Sequence, residues 1–204
     1  MTDHPISFAA PLLALVRAGT KTQVRRLAAS SLGTVAAGDR LWVQEPFAPL
    51  VIDDAGRRAK ATAQTATLAL LKDATIRSRT GVALPGRQDF SDGSFVRAQW
   101  APAVKMPRWA SRLTLLVEEV RTERLQAMSR ADAIAEGMRR WPPGIGGTWR
   151  LPPPHQRRLW LSPVAGQRLL WDATRGTPGE RWADDPLVVV LRFRVALHNI
   201  DAVG

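Results

Sequence analysis

The stretch "SRLTLLVEEVRTERLQAMSRADAIAEGM", Ser111 to Met138, predicts a strand followed directly by a short helix. Apolar and polar residues alternate in its first part, which indicates a strand region over Ser111–Leu125. Ser129 then offers an N-cap hydroxyl, and an acid stands three residues further on, as in a capping box. Gly137 marks the end of the helix. The stretch therefore favours a domain that mixes helices and strands.

Four further segments, nearer the two ends of the chain, also predict regular secondary structure. Residues Pro11–Ala18, "PLLALVRA", combine good helix formers with a proline in the first turn, which predicts a short helix. Extended chain is expected over Thr22–Leu27, a strand over Arg40–Gln44, and a buried strand over Pro186–Val195. Strands and two short helices without regular alternation predict a single α+β domain over residues 1–204, built on a β-barrel.

Two regions are expected to lie outside the regular framework of this domain. Residues 46–99 have weak periodicity and are interpreted as a variable insertion, with a hairpin turning at Asp54 to Gly56. Residues 139–167 contain the run "WPPGIGGTWRLPPPHQRR", which is rich in proline and glycine and predicts a long basic loop. The insertion is assigned no chemistry.

The composition excludes several classes of site. The 204 residues include no cysteine, so disulfides, thiol catalysis and zinc knuckles are ruled out. The three histidines, His4, His155 and His198, share no metal-ligand spacing, and neither a metal nor another cofactor is expected. The apolar stretch near the start is too short to span a bilayer. We expect a cytoplasmic protein with no membrane partner.

The charge distribution points to an anionic partner. The chain carries 29 Lys and Arg against 18 Asp and Glu, a net charge of +11, and three long stretches contain no acid. The alternative is that the excess charge only maintains solubility. We predict that Lys21, Arg26, Arg108 and Arg112 line one basic cleft. The full set of predicted nucleic-acid contacts is Arg25, Arg26, Lys105, Arg108, Trp109 and Arg112.

Tryptophan supplies eight of the thirteen aromatic residues, and several tryptophans adjoin arginine. Indole beside guanidinium suits the stacking of bases while the charges hold phosphates. Trp109, Trp141 and Trp149 are the stacking candidates because they lie in basic segments predicted as loops. Trp42 and Trp171 adjoin aliphatic residues and are expected in the core.

Lys21 and Glu136 form the candidate catalytic pair. Lys21 follows the end of the first predicted helix, and Glu136 lies at the end of the second. Side chains at helix ends can converge on one cavity, where a crowded lysine loses its proton more easily and a carboxylate serves as acid or base. The alternative is a solvated lysine and an ordinary surface glutamate.

The segments "GTKTQVRR", "GDRLWVQE", "MPRWASRLTLLVEEVRTERLQAMSRADAIAEGM" and "LLWDATRG…PLVVVLRFRV" together resemble the ASCH domain family of the PUA-like superfamily, most closely its phage and prophage versions. The family signature is Gly-x-Lys-x-x-Glu-x-Arg. This chain has Gly19, Lys21 and Arg26, with Val24 at the Glu position. The resemblance implies a PUA-like β-barrel whose cleft takes RNA or a nucleotide, under the helix that carries Glu136.

The resemblance also implies a possible hydrolase. Some members hydrolyse N4-acetylcytidine with a Lys, a Thr and a Glu, and others are described as ribonucleases. Lys21 and Glu136 match the first and last of these, Val24 falls where the Thr would be, and Thr22 is the substitute if the chain still turns there. Val24→Thr is predicted to introduce hydrolysis. Three functions stay open: RNA or nucleotide binding, hydrolysis of a modified nucleoside or RNA, and phage assembly.

Overall fold

The computed structural model describes residues 1–52, 66–71, 76–78, 101–142, 147–150 and 159–202. Within these ranges the helices are α1 (Ala10–Arg17), α2 (Arg130–Ala135) and α3 (Pro163–Asp172). The strands are β1 (Asp3–Ser7), β2 (Gln23–Leu27), β3 (Arg40–Gln44), β4 (Phe47–Ile52), β5 (Ala66–Leu71), β6 (Ile76–Ser78), β7 (Thr114–Arg124), β8 (Arg139–Trp141), β9 (Thr148–Arg150), β10 (Leu159–Trp160) and β11 (Leu187–Ala196).

The largest sheet has five strands in the order β1-β3-β7-β11-β2. The strands β1 and β2 form its two edges, so the described strands do not close into a barrel. Two smaller sheets have three strands each, in the orders β10-β9-β8 and β4-β5-β6. The α+β class predicted from the sequence is confirmed.

The edge strand β2 has two faces with different surroundings. It pairs antiparallel with β11, so that Arg25 lies opposite Val190 and Val24 opposite Leu191. Directly opposed residues share a face, and successive residues along a strand point to opposite faces. Val190 belongs to a hydrophobic core that also contains Trp149, Trp171 and Trp182. Arg25 therefore points towards the side of this core, and Val24 points to the other side of the sheet.

The predicted elements with strong local signals are confirmed. The alternating stretch forms β7, and α1, β3 and β11 lie within one residue or two of the predicted segments. The helix α2 has the predicted capping box: the Ser129 hydroxyl accepts from the Asp132 backbone N–H, and the Asp132 carboxylate accepts from the Ser129 backbone N–H. Glu136 is its C-cap, and Gly137 follows with φ 109°. These boundaries place Glu136 at the end of α2.

Both regions that were expected to lie outside the regular framework contain regular structure. The prediction of a long basic loop at 139–167 is wrong. The strands β8, β9 and β10 form a sheet there, and α3 begins at Pro163. Burial of Trp149, from β9, outweighs the poor strand propensity of the surrounding glycines and prolines. In the predicted insertion at 46–99, β4 pairs with β5; the turn expected at Asp54 to Gly56 lies outside the described residues.

The chain divides into two compact units. The first contains residues 1–4, 9–41 and 115–196, and the second contains residues 5–8, 42–114 and 197–204. The core of tryptophans and the ends of α1 and α2 belong to the first unit. Among the described residues, no helix has the length and apolar character needed to cross a membrane.

Candidate functional site

Lys21 and Glu136 lie together in the interior of the first unit. Their relative exposures are only 3% and 7%. The Lys21 Nζ donates a 3.0 Å hydrogen bond to the backbone carbonyl oxygen of Glu136 and lies 3.8 Å from the Glu136 Oε2. The two residues meet because the C-cap residue of each helix is followed by a glycine with positive φ, Gly19 after α1 and Gly137 after α2, and these glycines turn the chain sharply. The structure thus brings the predicted pair together as a buried ion pair.

Arg25 holds three carboxylates beside this pair. One guanidinium nitrogen donates to the Glu136 Oε1, and the other lies 2.6 Å from the Glu123 Oε1 and 3.1 Å from the Asp132 Oδ2. The Arg25 side chain is almost fully buried. Its predicted role as a nucleic-acid contact is wrong, because the buried guanidinium presents no surface to a nucleic acid. Arg25 is buried because it lies on the face of β2 that is turned towards the core and α2.

Further contacts extend the cluster to the start of α2. Arg121 donates 2.6 Å to the Asp132 Oδ1, which also accepts 2.9 Å from Gln23. Burial acts to raise the pKa of Asp132, but hydrogen bonds from Gln23, Ser129 and Arg121 outweigh burial and hold the pKa well below its usual range. We call the six charged residues of this cluster the charge network: Lys21, Arg25, Arg121, Glu123, Asp132 and Glu136.

Burial makes Lys21 unusually easy to deprotonate. Burial lowers its pKa from 10.5 to about 8, against the opposing effect of the Glu136 carboxylate, and the charges of Arg26 and Arg25 lower it further. The neighbouring Arg26 also has a lowered pKa, about 10, because of burial and the charge of Arg175. Lys21 therefore carries a proton that it can give up near neutral pH.

The other two residues of the predicted hydrolytic site lie elsewhere. Val24 is buried on the opposite face of β2 from Arg25, so Val24→Thr would not place a hydroxyl beside Lys21 and Glu136. The Thr22 carbonyl accepts from the Phe193 backbone N–H, which continues the β2–β11 pairing by one residue. Alternation then puts the Thr22 side chain on the Val24 face. The predicted gain of hydrolysis in Val24→Thr loses its structural basis.

An open groove of about 730 Å³ lies next to Lys21 and Glu136. Thr20 and Gly137, their neighbours in the chain, are among its lining residues. We call it the arginine groove because its described lining residues include three arginines and no acid; they are Thr20, Arg130, Ile134, Gly137, Met138, Arg139, Arg140 and Trp149. A groove with this lining favours an anionic ligand.

Trp149 forms the base of the arginine groove. Its ring is buried, with 4% exposure, and the guanidinium carbons of Arg130 and Arg140 lie 5.0 and 5.6 Å from the ring centroid. The prediction of Trp149 as a free stacking residue is therefore wrong, because β9 directs its ring into the core. Cation–π contacts hold the two guanidinium groups over the ring. No carboxylate of the described residues pairs with Arg130, Arg139 or Arg140.

The remaining predicted contacts belong to the second unit, where acids neutralise two of them. Arg108 donates to both carboxylate oxygens of Asp201, and Arg112 makes a bidentate pair with Glu45 at 2.8 Å. Trp109 packs against a small core that includes Met106. Lys105 is exposed. A segment that contains no acidic residue can therefore still form a surface with acidic residues, because Glu45 and Asp201 reach it from distant segments of the chain.

Sequence reasoning missed three of the six residues of the charge network as site residues: Arg121, Glu123 and Asp132. Glu123 and Asp132 were visible only as parts of a strand and a helix cap, and no local pattern predicts that both contact Arg25. The three arginines of the groove could have been found more easily, since Arg139 and Arg140 lie in an acid-free stretch.

Within the described residues, no group of three potential metal ligands lies close enough to hold an ion. No family model, curated protein or solved structure matches the chain.

Proposed function

We propose that the protein binds RNA or a nucleotide, with the phosphates held in the arginine groove. One observation carries this proposal: Arg130, Arg139 and Arg140 line a single groove, and none of the described residues that line it is acidic. Phosphate contacts by arginine supply most of the affinity in sequence-independent nucleic-acid binding. Arg130 and Arg140 are also held in place by the Trp149 ring, which reduces the entropy lost when a phosphate binds.

The arginine groove also argues against the alternative that the excess positive charge only maintains solubility. Elsewhere in the chain, arginines such as Arg25, Arg108 and Arg112 are each neutralised by carboxylates. Surface charges kept only for solubility are expected to be dispersed and mixed in sign. Three arginines in one concave site, with no carboxylate partner in the described part of the chain, favour a specific anionic ligand instead.

Binding is tested with a fluorescently labelled single-stranded RNA and variants of the groove. We expect Arg139→Ala to weaken binding several-fold at low salt, because one phosphate contact is lost. The matched control is Arg192→Ala, which removes the same charge from a 60%-exposed arginine outside the groove. Equal affinities of the wild type and the Arg130→Ala/Arg139→Ala/Arg140→Ala variant, with both folded, would refute the proposal.

Hydrolysis of a modified nucleoside is the second candidate function, supported by Lys21. This lysine has a pKa near 8, lies 3.8 Å from a carboxylate oxygen, and is one residue from the groove lining at Thr20. Above about pH 8 the neutral amine of this lysine could accept a proton. Its burial means that a substrate must displace part of the chain around Gly19 or Gly137 to reach it.

Hydrolysis is tested by incubation with acylated nucleosides and labelled RNA, with the products resolved by mass. If the activity exists, Lys21→Met should abolish it, while Val24→Thr should change the rate little because that side chain faces the other side of the sheet. A gain of activity in Val24→Thr would contradict the assignment of strand faces. Absence of any product with the wild type leaves binding as the function.

Kinship with the ASCH family and a PUA-like barrel remain proposals that rest on the sequence motifs. The motif positions Gly19, Lys21 and Arg26 occupy the turn and edge strand beside the groove. This placement supports a ligand site at the motif. No contact in the described part of the chain favours the third function, a role in phage assembly.

A further inference from the structure

The hairpin of β8 and β9 has one face on which most residues are not among the described lining residues of the arginine groove. Arg139 lies directly opposite Arg150, and Trp141 lies opposite Thr148. Opposed residues share a face, so these four residues lie on one side of the hairpin, while Arg140 and Trp149 lie on the other. We call the side with the four residues the outer hairpin face: Arg139, Trp141, Thr148 and Arg150. Trp149 packs into the core, so the outer face points away from it.

The outer hairpin face carries an unfavourable pairing of like charges. Two arginines directly opposed across a β-ladder repel each other, and such pairs destabilise a hairpin. No described carboxylate pairs with Arg139 or Arg150. Arg139 also lines the arginine groove, so the groove and the outer face are continuous through this side chain. An anion between the two guanidinium groups would relieve the repulsion.

Trp141 gives the outer hairpin face an aromatic surface. Trp141 is 38% exposed and is one of the exposed large hydrophobic residues of the described chain. The guanidinium carbon of Arg150 lies 3.5 Å from the ring centroid and is stacked on one side of the indole. Among the described residues, no second cation or aromatic ring stacks on Trp141. An indole with one stacked arginine suits a further flat ligand on its other side.

We propose that the outer hairpin face is a second nucleotide subsite, in which Trp141 stacks on an unpaired base while Arg139 and Arg150 hold its phosphates. The inference rests on the proposed function of the arginine groove, and it specifies the ligand. A base in a duplex already stacks on its neighbours, so its face is not available to Trp141. A ligand that occupies both the groove and the subsite is therefore a single-stranded nucleic acid of several nucleotides.

The test measures dissociation constants for single-stranded RNA and DNA 12-mers, the corresponding duplex and a poly-glutamate peptide of similar charge. We expect Trp141→Leu to weaken single-strand binding about tenfold, from the loss of one stacked base. Trp141→Phe should restore most of the affinity, and base binding should quench tryptophan emission in the wild type more than in Trp141→Phe. Comparison of the RNA and DNA arms shows whether the sugar matters.

Three outcomes would overturn the inference. If Trp141→Leu binds like the wild type while Arg140→Ala binds more weakly, the subsite is wrong and the groove stands. If neither variant changes the affinity, the proposed function fails as well. Equal affinity for the duplex or for poly-glutamate would show that the face reads charge and not an unpaired base. Circular dichroism and thermal unfolding of each variant verify that the fold is intact.

Discussion

At the scale of the single residue, Lys21 shows how burial changes an ordinary ionisable group. A lysine in water has a pKa of 10.5, and burial in the charge network lowers that of Lys21 to about 8. Between these two values the unfolded chain binds more protons than the folded chain. The free energy of unfolding therefore rises with pH in this window, and below pH 8 the penalty for burying the charged form is complete.

The lowered pKa predicts a pH-dependent difference between the wild type and Lys21→Met. The variant has no group that titrates at this position, so other ionisations cancel in the comparison. From pH 7.5 to pH 10, we expect the stability of the wild type to increase relative to the variant by about 2 kcal/mol, the linkage value for a pKa lowered this far. Urea unfolding at both pH values measures the difference. A difference that does not change with pH would show that Lys21 is not desolvated.

At the scale of the element, ion pairs to β2 stabilise the short helix α2 more than its own backbone hydrogen bonds do. It has six residues, too few for a helix to be stable alone. Asp132, in the capping box at its start, and Glu136, its C-cap, both contact Arg25, while Ala133 packs into the core. One arginine on the edge strand thereby fixes both ends of α2, and with them the side of the arginine groove formed by Arg130 and Ile134.

Arg25→Met is accordingly expected to destabilise the protein by about 3 to 5 kcal/mol at pH 7, because it leaves buried carboxylates without their shared cation. The control is Arg192→Met, whose exposed ion pair with Glu119 at 3.8 Å should contribute less than about 1 kcal/mol. The loss in Arg25→Met should shrink at pH 4, where the freed carboxylates become protonated. Denaturant unfolding at the two pH values checks this, and a loss that does not change with pH would contradict it.

The elements also show how far the sequence could be used to predict this structure. The strand β7 and the helix α2 were predicted because their signals are local: alternation in one case and a capping box in the other. The small sheet of β8, β9 and β10 was not, since its stability depends on burying Trp149 against residues distant in the chain. The meeting of Lys21 and Glu136 followed from two glycines at helix ends, whereas the contacts of Arg25 required the register of β2.

At the scale of the whole molecule, the net charge of +11 overstates the charge available to a ligand. Carboxylates from distant segments neutralise arginines in both units, among them Arg25 and Arg112. The proposed ligand contacts are Arg130, Arg139, Arg140 and Arg150, which have no such partner within the described ranges. Long-range attraction depends on the total charge, but the ions released on binding depend on the phosphates that are contacted.

The salt dependence of binding separates a local site from a diffuse basic surface. Each phosphate contacted on a single strand contributes about 0.7 to the slope of log affinity against log salt, so four arginines predict a slope of about −3. Arg139→Ala should reduce its magnitude by about 0.7, and Arg192→Ala should not change it. Titrations of labelled single-stranded RNA from low to moderate salt measure these slopes. Because Asp201 already neutralises Arg108, Arg108→Ala should leave the slope unchanged. A smaller slope in Arg108→Ala, with Arg139→Ala unaffected, would move the binding site to Arg108 and Arg112, two of the four residues predicted from the sequence to line a basic cleft.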